Sequence, residues 1–120
     1  MENKKIVVRM TKDFGRSGEL EGVFITEQKY IDILVGETIE VYFGEVLGKH
    51  SEVMCIFTHE DFEIISEDLS VVKVIEENNL TSGYNPFDYE AYGIEIQEGE
   101  VMDGDVLDIV KRFDEVNQGS

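Results

Sequence analysis

Thr38-Ile39-Glu40-Val41-Tyr42-Phe43-Gly44-Glu45-Val46-Leu47, a Gly48-Lys49-His50-Ser51 link, then Glu52-Val53-Met54-Cys55-Ile56-Phe57-Thr58: the reading of this stretch decides the fold. Both flanks are rich in β-branched and aromatic residues, and the link is short and contains glycine. Two such runs predict an antiparallel hairpin. Both strands are apolar on both faces near their centres, which predicts central positions in a covered sheet.

Working outward, Lys5 to Met10 and Leu20 to Thr26 read as strands, separated by a loop at Asp13-Phe14-Gly15-Arg16-Ser17-Gly18. Glu27 to Val35 fits helix and strand periodicity alike. A short helix capped by Thr26 and ended by Gly36 is the preferred reading. Downstream, Phe62 to Ile65 is a shorter strand. Leu69 to Asn78 is a helix with Ser66 as N-cap and Glu67 and Asp68 at its positive end. Residues 81–90 form the longest irregular stretch, and Tyr92 to Gln97 is a further strand. From Asp105 to Val116, apolar Val106, Ile109, Val110, Phe113 and Val116 recur at helical spacing, with Asp103 as the expected N-cap. The expectation is one α+β domain over residues 1–120. It has a mostly antiparallel sheet of five or six strands, barrel-like if partly closed. Two or three helices cover it, one of them the C-terminal amphipathic helix.

The chain carries 27 acidic and 10 basic residues in 120, a formal net charge of -17, yet is 42% hydrophobic. It can therefore build a core inside an acidic shell. The surplus is uneven: residues 1–60 hold 7 Lys/Arg against 11 Asp/Glu, residues 61–120 hold 3 against 16. Such a field repels phosphate and excludes direct binding to nucleic acid or an anionic membrane, which needs Lys and Arg to displace counterions. It attracts basic protein surfaces. Cys55 is the only cysteine, so no disulfide forms within the chain. No apolar run approaches a membrane span, and the first residues lack the apolar core of a secretory signal. A cytoplasmic location in a bacterial host is the expectation.

No catalytic signature accompanies the charge, and the reading is non-enzymatic with no cofactor and no metal. His50, Cys55 and His59 have metal-ligand chemistry, but a buried structural Cys55 fits a strand at 52–58 better. Glu100, Asp103, Asp105 and Asp108 gather carboxylates without the glycine of a calcium loop, and suit helix capping. Gly44 to Lys49 lacks the spacing of a phosphate-binding loop. Tyr84, Phe87 and Tyr89 surround Pro86 among acids, a composition favoured in protein interfaces.

The segment Tyr42-Phe43-Gly44-Glu45-Val46-Leu47-Gly48-Lys49-His50-Ser51-Glu52, 11 of the 120 residues, resembles a segment of small phage and prophage accessory proteins. The resemblance implies a phage setting and an accessory factor acting on host machinery; it brings no activity and no functional residues. In charge and size the chain is also similar to phage nucleic-acid mimics. The leading expectation is an acidic protein that binds a basic host protein surface and inhibits or modulates a defence or nucleic-acid-processing factor. The contact residues expected are Glu76, Glu77, Tyr84, Phe87, Asp88, Tyr89, Glu90, Glu95, Glu98 and Glu100. The alternative is a sponge for a small ligand or nucleotide signal, held by Arg9, Arg16, Lys49 and His50 in a homo-oligomer.

Overall fold

The computed structural model describes residues 4–48 and 52–118. In chain order the elements are β1 (Lys5–Asp13), β2 (Glu19–Glu27), α1 (Gln28–Gly36), β3 (Glu40–Gly44), β4 (Val53–Ile56), β5 (Phe62–Ser66), α2 (Leu69–Glu77), β6 (Ser82–Gly83), β7 (Glu90–Gln97), β8 (Glu100–Asp105) and α3 (Val106–Gln118). Single turns of 3-10 helix interrupt the connections at Gly15–Ser17, His59–Asp61 and Pro86–Asp88. The α+β class holds. The single sheet of five or six strands is corrected to two antiparallel four-stranded sheets, neither closed into a barrel. Sheet A has the order β5-β1-β2-β6 and sheet B the order β4-β3-β7-β8.

Sheet A is organised by the β1–β2 hairpin, paired from Lys5↔Glu27 to Asp13↔Glu19. Ile6, Val8 and Met10 alternate inward and meet Leu20 and Phe24 in one core. Val7 points the opposite way and is nevertheless fully buried. Helix α2 packs on β1 from that outer side, with Val72 buried and Lys5 Nζ bonded to Glu76 Oε2 at 3.0 Å. Sheet A is thus covered on its inner face and, around Val7, on its outer one, where Arg9, Glu21 and Glu63 stay exposed.

Sheet B contributes Val41, Phe43, Val53, Cys55, Ala91 and Ile96 to the same core. Helix α3 seals it with Val106, Ile109, Val110 and Phe113 and packs on α1, β7 and β8. Burying each such side chain is worth about 1.5–3 kcal/mol as an upper estimate. The Val106 N–H donates to the Tyr89 carbonyl at 2.8 Å and fixes where α3 starts. Among the described residues, no helix lies over the outer face of sheet B, where Met54, Ile56, Tyr92 and Val101 are exposed.

Several local expectations change. The hairpin at 38–58 forms, but β4 is an edge strand, with Met54 and Ile56 about half exposed, so its apolar outer side is not explained by a covering layer. Thr26 lies inside β2 and is buried; the N-cap position of α1 is Glu27, without a side-chain cap. Asp68, not Ser66, caps α2 by accepting from the Ser70 N–H. Residues 100–105 form β8 and run directly into α3, so Asp103 is a strand residue whose Oδ1 accepts the Gly93 N–H at 2.6 Å.

The irregular 81–90 segment folds inward. Phe87 is 3% exposed and lies edge-on to Phe24 at 6.3 Å. Its 3-10 turn is held by Asn85 Oδ1, which accepts the Phe87 N–H at 3.0 Å. Gly22 lets this segment approach: a Cβ there would sit 2.1 Å from the Tyr84 carbonyl oxygen, where β2 pairs with β6.

Two variants test this packing. Phe87→Ala should lower unfolding free energy in urea by about 3–5 kcal/mol, the usual cost of an emptied aromatic site. Gly22→Ala should cost about 2 kcal/mol or more, since the clash is with backbone and not a movable side chain.

Candidate functional site

The outer face of sheet B is built by strand alternation. Register aligns Met54, Tyr42, Glu90 and Asp105 across all four strands. Two residues along each strand, the next row brings Ile56, Glu40, Tyr92 and Asp103. Glu95 and Val101 pair beyond them, with Val101 63% exposed. The face therefore grades from apolar on β4, through two tyrosines, to carboxylates on β7 and β8.

The tyrosines are fixed by those acids. Tyr42 donates its hydroxyl to Glu52 Oε1 at 2.7 Å, and Tyr92 donates to Glu90. The rings lie 6.0 Å apart, tilted. Both phenols are pushed above their ordinary value, first by these hydrogen bonds, and so remain neutral donors.

The electrostatic character is set by what the strands lack. No strand of sheet B contains Lys, Arg or His. Among the described residues, Glu40, Glu90, Glu95, Asp103 and Asp105 form no ion pair. Like charges within a Debye length, about 8–10 Å at working salt, repel one another. A cationic surface brought onto the face relieves that repulsion.

The residues expected from sequence are divided among several places. Glu90 and Glu95 lie on this face, and Glu98 in the β7–β8 turn beside it. Glu76 and Glu77 lie on α2, paired with Lys5 and Lys73. Glu100 is held by Arg112 at 2.7 Å, against α3. The aromatic anchors are corrected to core positions. Phe87 is buried, Tyr84 and Tyr89 are half-buried, and Tyr89 stacks 4.6 Å from Phe43. Asp88 meets Glu76 in an open cleft of about 580 Å³ between α2, β2 and the 81–88 segment. A hollow of about 280 Å³ adjoins it, where Lys5 and Lys111 offset Glu27, Glu76 and Asp88.

The ligand set of the alternative reading is dispersed. Arg9 is engaged by Glu63 at 3.2 Å and by Glu21 at 3.6 Å. Arg16 lies in the β1–β2 turn, and Lys49 and His50 fall outside the described residues. His50 of the His-Cys-His group thus lies outside the described residues as well. Of its other members, Cys55 is buried on the inner side of β4, while exposed His59 sits 3.1 Å from Asp32. Among the described residues, no three His, Cys, Asp or Glu are placed to hold a metal ion. Of the four carboxylates gathered near the C-terminal helix, Glu100 faces α3, Asp103 and Asp105 lie on β8, and Asp108 is in the first turn of α3.

Sequence reasoning missed Tyr42, Met54, Ile56, Glu40, Asp103 and Asp105. Their alternation with buried neighbours was the available signal. The pairing of β3 with β7, which unites them, joins residues far apart in the chain.

No family model, curated protein or solved structure matches the chain.

Two groups offer checks. Burial pushes the Cys55 thiol up to about 11. Native protein at about pH 8 should therefore react with a disulfide reagent far more slowly than unfolded protein. Glu100 is held below its ordinary 4.5 by hydrogen bonds from Arg112 and Gln97. A depressed carboxylate stabilises above its unfolded value, and the gain is lost as pH falls through the folded one. Glu100→Gln should lower the melting temperature at about pH 7, and the difference should shrink as pH falls below the ordinary carboxylate range and the wild-type carboxylate takes up its proton.

Proposed function

We propose that the protein is a non-enzymatic binding protein that captures a basic protein surface on the outer face of sheet B. In the phage setting implied by the resemblance at residues 42–52, the partner is a host factor that the protein inhibits or modulates. One observation carries the reading. A four-stranded face without a covering helix displays apolar side chains and carboxylates together, and its strands contain no counter-cation. Exposed apolar groups supply burial on contact; carboxylates hydrogen-bond Arg and Lys and steer the encounter. The hollow adjoining the cleft beside α2 is less suited to this role, because Lys5 and Lys111 sit among its acids.

The test is capture of partners from bacterial lysate at low and high salt. Glu40→Lys combined with Glu95→Lys should weaken capture by about tenfold or more at low salt. Both side chains are exposed and form no ion pair among the described residues, so folding should persist. Reversal of Glu19 and Glu21, on β2, should have much less effect. Equal loss from both pairs, or capture insensitive to salt, counts against a localised acidic face.

A further inference from the structure

Edge strands offer unpaired backbone groups, and proteins guard them with charges, bulges or brevity. Three of the four sheet edges here are guarded. β8 carries Glu100, Asp103 and Asp105; β5 carries Glu63 and a bulge against β1; β6 has two residues. The fourth edge, β4, reads Val53-Met54-Cys55-Ile56; it is short and pairs with β3 across a register shift between Tyr42 and Gly44, but it carries no charge and no proline. It pairs only with β3, and among the described residues no other backbone group bonds its far side. Met54 is 50% and Ile56 45% exposed on the outer face. Carboxylates flank the strand: Glu52 precedes it, and exposed Glu60 follows in the turn after it.

We infer that β4 is an acceptor edge: an extended partner segment adds to sheet B as a fifth strand. The inference rests on the acidic-face reading and specifies the partner's contact element. The alternation sets the chemistry of that segment. Its side chains beside Met54 and Ile56 are apolar or β-branched, and basic residues at its two ends meet Glu52 and Glu60. A second copy of this chain is a poor occupant, because two molecules of net charge -17 repel.

The probe is the peptide Lys-Lys-Val-Thr-Val-Thr-Val-Lys-Lys, with a second version N-methylated at every residue. N-methylation removes the backbone donors and keeps the charges. The unmodified peptide should bind about tenfold or more tightly than the methylated one, because only it can form the ladder. It should slow amide exchange at Val53–Ile56 and leave β8 unchanged. Ile56→Lys, which places a charge on the edge at an exposed position, should abolish the difference; Leu80→Lys, exposed beyond α2, should not. Equal salt-sensitive binding of both peptides overturns the edge inference and leaves the acidic face standing. Failure of both to bind overturns the two together. Protection at β8 in place of β4, or protein that is dimeric through β4 before peptide is added, overturns the edge inference alone.

Discussion

A chain of aromatic contacts joins the two sheets, and the rest of the structure depends on it. Phe43 of β3 lies 4.6 Å from Tyr89 and 6.1 Å from Phe57; Phe57 lies 5.3 Å from Phe62 of β5. Tyr89 continues to Tyr84, which follows β6. Two small four-stranded sheets, each of which would leave a face wet, are thereby held against a common core. The rings supply large buried area in few residues, which a chain of this length needs. Their use as internal ties explains why the 81–90 segment, aromatic and acidic in composition, turns its rings inward and leaves Asp88 and Glu90 exposed with Thr81, Ser82 and Gly83.

Local patterns in the sequence led to most elements. The hairpin at 38–58, the strands at 5–10 and 20–26, the two clear helices and the amphipathic face of α3 followed from periodicity, because period 3.6 and period 2 are written into neighbouring residues. What stayed hidden was non-local. The bridge between Tyr42 and Glu90 decides that β3 and β7 share a sheet, and no local signal encodes it. The apolar outer side of β4 was legible; its meaning was not, since a covered central strand and an unguarded edge strand share a composition. Asp103 shows the same ambiguity at one residue. A carboxylate before a helix suits a cap, yet here it closes a bulged hairpin by accepting from Gly93.

The acidity also changes meaning once it is placed in space. Along the chain it thickens after residue 60. In the fold the more telling division is between sheets. Sheet A carries Lys5, Arg9 and Lys12 on β1, and each meets a carboxylate. The strands of sheet B have no cation of their own; Glu100 is paired from α3 by Arg112, and among the described residues Glu40, Glu90, Glu95, Asp103 and Asp105 have no ion pair. A charge that reads as a bulk property of composition resolves into a neutralised layer and a bare one.

Helix α2 is held differently from α1 and α3. It stands outside the common core, against a small patch of Val7 and Val72, with Lys5 bonded to Glu76 and with Leu69 and Val74 exposed. Local opening costs only the contacts it breaks. By that measure α2, with Val72 as its one buried side chain, is the helix whose opening costs least. Proteases and exchange with heavy water will find α2 first, while the aromatic tie between the sheets is still closed.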